Sequence, residues 1–130
     1  MRSCVLIVED NPTNLKLAAD VLEHSGFRVI RAVDAEQAQL ALRRELPDLI
    51  LMDIALPGMD GLALTRLLRA DPGFGTIPIV ALTAFAMKGD EQKALSAGCD
   101  GYITKPFQVR ELARQVCSFL PESNEPREAP

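Results

Sequence analysis

Acidic side chains stand where two apolar runs stop. Asp53 ends Leu49-Ile50-Leu51-Met52, and Glu9-Asp10 closes Cys4-Val5-Leu6-Ile7-Val8. Carboxylates are poor strand formers and are seldom buried without a partner, so packing alone does not explain two such endings. If the two strands lie side by side, three carboxylates converge on one sheet edge. That is an oxygen-rich site for a hard divalent cation such as Mg2+, with one oxygen left to accept a phosphoryl group. Two further polar groups extend the set, since Thr83 closes a later apolar run and Lys105 follows another. Asp53 then reads as a nucleophile. Asp10 and Asp53 hold the metal, with Glu9 acting through water. Lys105 neutralises a phosphoryl oxygen and Thr83 bonds another. Two like charges ~4 Å apart repel by about 4 kcal/mol at an effective dielectric near 20, so a dication and a lysine are what such a cluster needs. Singly, Thr83 reads as a strand former, Lys105 as a surface charge and Asp10 as the start of an Asx-type turn before Pro12. Jointly, the strand-end placements read as one site.

The elements that must position these groups alternate along the chain. Residues 4–8 form a continuous buried strand pattern. Asn11-Pro12 supplies a cap and a first-turn proline for a helix reaching about His24, with Leu15, Ala18, Val21 and Leu22 inward and Gly26 ending it. A shorter strand spans 28–32. Asp34 caps the next helix and Gln37 completes an approximate capping box. Strands at 48–53, 78–83 and 101–104 alternate with helices at 61–69, 86–97 and 108–120, the first of these with Leu62, Leu64, Leu67 and Leu68 as its apolar contacts. Five β-α units in series imply an α/β fold, a doubly wound parallel sheet with five strands and five helices. In the flavodoxin-like order 2-1-3-4-5 the ligand crevice opens between strands one and three, the two that end in the acids.

The chain has 130 residues, a formal net charge of -4 and no clustering of basic residues, which argues against nucleic acid as a partner. Arg43-Arg44 and the arginines at 66, 69, 110 and 114 read as solvated helix faces. Cys4, Cys99 and Cys117 match no zinc spacing and read as small buried hydrophobes in a reducing cytosol. No secretory signal and no membrane-spanning run is evident. Residues 1–120 read as one domain, and the Pro- and Glu-rich 121–130 as a disordered tail.

Four stretches carry a family resemblance: Val8-Glu9-Asp10-Asn11, Met52 to Gly61, Ala81-Leu82-Thr83-Ala84, and Gly101 to Phe107. In this order they resemble the receiver domain of two-component response regulators, over roughly residues 4–120. The opening Glu9-Asp10-Asn11-Pro12-Thr13-Asn14 is similar to stand-alone cell-cycle regulators and to receivers of hybrid histidine kinases. The resemblance implies that Asp53 is a phosphoacceptor fed by a histidine kinase or a histidine phosphotransfer protein. It implies that Glu9 and Asp10 organise Mg2+ with Asp53 and the backbone carbonyl of Ala55. It makes Thr83, Lys105 and Tyr102 the phosphoryl-binding and switch residues, and the Lys105-Pro106 bond cis. A downstream protein target would meet the face of the fourth helix, fifth strand and fifth helix. The domain is then a cytoplasmic signalling switch rather than an enzyme, promoting its own aspartyl phosphorylation and dephosphorylation. Ala55 and Phe85 are apolar where some relatives are polar, which implies slow dephosphorylation; Phe85 reads equally well as partner-facing surface.

Three rivals share parts of this pattern. A haloacid-dehalogenase-type phosphatase places its nucleophile after the first strand, whereas Asp53 follows the third. A flavin carrier needs a phosphate loop where Glu9-Asp10 would repel the phosphate. A non-phosphorylated scaffold receiver usually lacks part of the acidic set or the lysine, and all are present here.

Overall fold

The computed structural model describes residues 3–56, 60–83, 90–105 and 107–120. Among the described residues ten elements alternate: β1 (Cys4–Val8), α1 (Pro12–His24), β2 (Arg28–Ala32), α2 (Ala35–Arg44), β3 (Leu49–Asp53), α3 (Gly61–Ala70), β4 (Ile79–Thr83), α4 (Asp90–Ala97), β5 (Gly101–Thr104) and α5 (Val109–Phe119). The strands form one parallel sheet in the order β2-β1-β3-β4-β5. The expected 2-1-3-4-5 topology is therefore present, and β1 lies beside β3 as the acids require.

Three central strands are buried along their whole length, because helices cover both faces of the sheet. Side chains alternate between two cores. Leu6, Val8, Ile50, Met52, Ile79 and Ala81 face Ala38, Leu42, Leu64, Leu68 and Ala94 of α2, α3 and α4. Val5, Ile7, Leu49, Leu51, Val80 and Leu82 face Leu15, Ala18, Leu22, Leu112 and Val116 of α1 and α5.

Local signals set the helix ends. Asn11 Oδ1 accepts from the N–H groups of Thr13 and Asn14, and Pro12 occupies the first helical position. Asp34 Oδ1 accepts from Gln37 N, while Gln37 Oε1 accepts from Val33 N, so the reciprocal bond of the capping box falls one residue before the cap. Gly26 ends the α1 turn with φ 101°, a left-handed conformation that a residue with a Cβ avoids. Strands β3 and β4 each begin one residue later than expected. α5 starts after Gln108, which caps it by backbone alone. The expected α4 start at residue 86, the tail 121–130, Phe85 and Pro106 lie outside the described residues.

Three sequence expectations need correction. Arg69 is not a solvated helix-face charge. Its Nε donates to Gly98 O at 2.8 Å, its Nη1 to Gly75 O at 3.1 Å and Ile77 O at 2.7 Å, and its Nη2 pairs with Asp100 at 2.7 Å. Its place in the last turn of α3 aims it at the loops entering β4 and β5, which helical periodicity does not reveal. Cys117 is exposed, since Val116 takes the inward position on α5, whereas Cys4 and Cys99 are buried. Leu67 points outward with 48% exposure, because Leu64 and Leu68 already fill the inner stripe of α3. Val21 packs against the core as expected, though only partly buried, and Ala19 joins it on the inner face of α1.

Candidate acidic site at the carboxyl edge of the sheet

The register that pairs Val8 with Met52 carries the chain directly into Glu9 and Asp53. Both are buried, while Asp10, one residue further and beyond the strand, is exposed. One carboxylate oxygen from each of Glu9, Asp10 and Asp53 lies within 4.8 Å of the other two. The sequence expectation that these three groups converge is therefore met by the geometry.

Lys105 projects into the same edge from the end of β5. Its Nζ lies 2.8 Å from Glu9 Oε1 and 3.2 Å from Asp53 Oδ2. The lysine is placed by its own backbone, whose N–H donates to Thr83 O at 2.6 Å. Thr83 ends β4 as a buried residue and pairs in register with Thr104. Tyr102 sits half-buried on β5 opposite Ala81, against the core shared by α2, α3 and α4. Ala55 is exposed, and its N–H donates to Asp53 Oδ1 at 2.9 Å. The Lys105-Pro106 bond lies outside the described residues.

The electrostatics split the two buried acids. Burial, then the neighbouring Asp53 carboxylate, pushes the Glu9 carboxyl up to about 7, against the pull of Lys105 and the Asn11 N–H. Burial acts upward on Asp53 too. There the hydrogen bond with Glu9, the Ala55 N–H and Lys105 together outweigh it and hold Asp53 below the usual range. Burial alone would lower Lys105, but Glu9 and Asp53 more than offset it and the ammonium is stabilised. The two acids are thus pushed in opposite directions, with Asp53 the more readily ionised of the pair.

A divalent cation fits this donor set. Glu9 Oε1 is buried and has no aligned hydrogen-bond partner, despite its closeness to Lys105. Ligand oxygens around one octahedral Mg2+ sit about 3–4 Å apart, close to the spread of these carboxylates. Sequence reasoning missed one contributor, Gly61, at the N-terminus of α3. Its N–H donates to Ile54 O at 3.2 Å, and a Cβ there would meet Asp53 O at 2.2 Å. The signal available was the pairing of Asp60, which caps α3 through Ala63 N, with a following glycine.

Comparison with known proteins agrees with this architecture. The sequence model of the response regulator receiver domain matches residues 5–117. The polar-differentiation response regulator DivK of Brucella anthropi is 45% identical over 120 residues, covering 92% of this chain and 98% of that one. The signal receiver domain of a signal transduction histidine kinase from Syntrophus aciditrophicus superimposes with a TM-score of 0.84 at 35% identity, covering 98% of this chain and 95% of that one. The receiver domain of a sensor histidine kinase from Pseudomonas aeruginosa PAO1 gives 0.83 at 39% identity, covering 92% of this chain and 98% of that one. Its crystal structure has a magnesium ion coordinated in the active-site cleft. Relatives matched over nearly their whole length, on the same sheet order, establish that this chain belongs to the response regulator receiver domains of two-component systems.

Proposed function

We propose that the chain is a phosphoacceptor switch, a receiver unit over residues 1–120 that takes a phosphoryl group onto Asp53 from a histidine kinase or a histidine phosphotransfer protein. The observation that carries this reading is the state of Asp53. It is a buried carboxylate held ionised beside a lysine, with Oδ2 3.2 Å from Lys105 Nζ. A buried anion with its pKa pulled down is a competent nucleophile at neutral pH.

In the transfer, an Asp53 oxygen forms a bond to phosphorus as the bond from phosphorus to the donor histidine nitrogen breaks. The histidine ring nitrogen keeps the electron pair. The product is an aspartyl phosphate. Lys105 neutralises charge on the phosphoryl oxygens, and Ala55 N–H orients the acceptor carboxylate. Glu9, Asp10, Asp53 and the Ala55 carbonyl would hold Mg2+, which supplies positive charge opposite the incoming phosphoryl oxygens. The new phosphate draws the Thr83 hydroxyl, and Tyr102 turns into the space that Thr83 vacates. The surface of α4, β5 and α5 changes and is read by a downstream protein. Relatives of both kinds, a stand-alone regulator and kinase-borne receivers, fit this chemistry. Among the described residues no helix is long and apolar enough to cross a membrane, and the cytoplasm is the compartment we assign to the switch.

Phosphotransfer from a kinase charged with radiolabelled ATP tests the proposal. Wild type is expected to take the label in Mg2+ and to take none when Mg2+ is chelated before the kinase is added, and Asp53→Ala to stay unlabelled. Label on Asp53→Ala would overturn the assignment.

A further inference from the structure

One peptide unit beside Asp53 is gripped at both ends. Its carbonyl, Ile54 O, accepts from Gly61 N at 3.2 Å, and its N–H, on Ala55, donates to Asp53 Oδ1 at 2.9 Å. A peptide group is planar, so fixing the direction of its C=O fixes the direction of its N–H. The N-terminus of α3 therefore controls where the Ala55 N–H points, and through it how the Asp53 carboxylate lies.

That grip needs close approach. A Cβ at position 61 would lie 2.2 Å from Asp53 O, 2.7 Å from Ile54 Cα and 2.9 Å from Asp53 C, all backbone atoms and all well inside contact at about 3.5 Å. Gly61 is helical, and among the described residues the glycines with positive φ are Gly26 and Gly98. Space, not backbone freedom, is what selects glycine here. Asp60 fixes the same turn, with Oδ1 accepting from Ala63 N at 2.8 Å.

We propose that Gly61 is a positioning residue for the acceptor site, seating the first turn of α3 on the Asp53–Ile54 backbone so that the Ile54–Ala55 peptide holds Asp53 in its reactive orientation. The proposal rests on Asp53 being the acceptor and deepens that reading by naming what aims it.

The test compares Gly61→Ala with Gly26→Ala in the full chain. Gly26→Ala strains a left-handed glycine that has open space around it, so it destabilises the fold without touching the site. Two readouts are taken where both variants remain folded: amide hydrogen exchange at Ala55 without metal, and the rate of phosphoryl uptake from acetyl phosphate in Mg2+. Gly61→Ala is expected to lose Ala55 protection and to slow uptake by about tenfold or more, the loss that follows from ångström-scale misplacement of a reacting group. Gly26→Ala is expected to keep both. If Gly61→Ala fails to fold, Asp60→Ala replaces it. It is expected to lose Ala55 protection in the same direction, with Asp60→Asn restoring the cap and the protection. Ala55 protection and uptake equal to those of Gly26→Ala, or an Asp60→Ala variant as protected as wild type, would overturn the proposal. Uptake by an Asp53→Ala control would instead overturn the acceptor assignment beneath it.

Discussion

The ammonium of Lys105 reaches across the end of β4 to lie 3.2 Å from Asp53 Oδ2, joining the ends of two strands that are not neighbours in the sheet. Replacing it with an uncharged chain of similar length removes the cation that, in the proposed transfer, faces the incoming phosphoryl oxygens. Lys105→Met is expected to slow phosphoryl uptake by about 100-fold, the usual scale for losing one electrostatic stabiliser. The rate of labelling from acetyl phosphate checks this, and an unchanged rate contradicts it.

Glu9 gives the metal-free protein a pH-dependent stability. Its folded value of about 7 lies above the ordinary 4.5, so the folded state holds the proton more tightly across that interval. The stability this group contributes is present below pH 4.5 and is lost as pH rises through 7. Asp53 acts in the opposite sense, but only as pH falls below its ordinary 3.8. Thermal melts in a chelator are expected to fall between pH 5 and 7.5, and Glu9→Gln to flatten that slope. Added Mg2+ is expected to raise the melting temperature most at the high end, where the carboxylates are free to bind it. A slope that survives Glu9→Gln would show that another group is responsible.

Arg69 closes the opposite edge of the sheet. It holds carbonyls of Gly98, Gly75 and Ile77, and Asp100, which also accepts from Ile79 N at 2.9 Å. Arg69→Ala strands these acceptors and is expected to cost about 2–3 kcal/mol, the range for hydrogen bonds to a charged group. Urea unfolding checks the loss, with the rate of Asp53 labelling expected to stay at the wild-type value. Arg69→Lys is expected to recover little, because an ammonium lacks the fork that reaches four acceptors.

Ala55 is exposed beside the proposed acceptor Asp53 and would offer an attacking water no polar side chain. Ala55→Asn is expected to shorten the aspartyl-phosphate half-life by about tenfold or more, as positioned proton-relay groups do. Decay of the labelled protein after removal of the donor measures it. An equal or longer half-life in the variant would remove Ala55 as a cause of slow decay.

The strands and their acidic ends were legible because period and punctuation are local properties. An apolar run that stops at Asp53 needs no knowledge of the rest of the chain. Five alternating units implied a parallel doubly wound sheet, and the flavodoxin-like order taken for it is the one that brings Glu9, Asp10, Asp53 and Lys105 to one edge. What remained hidden depends on distances between elements. Arg69 resembles Arg66 in the sequence, yet only Arg69 reaches the loops before β4 and β5. Gly61 resembles an indifferent helix start until the backbone of Asp53 is found 2.2 Å from where its Cβ would be. Cys117 and Val116 are adjacent and apolar, and only the docking angle of α5 decides which faces the sheet.

The Arg69 clamp and the acid cluster lie at opposite ends of five-residue strands, roughly 16 Å apart at about 3.3 Å per residue. Effects of substitutions that far apart add almost independently. In the proposed switch, changes to signal lifetime or upstream donor at the acid rim therefore leave the contribution of the Arg69 clamp to stability intact. One rim of a very small molecule can thus diverge while the fastening at the other stays as it is.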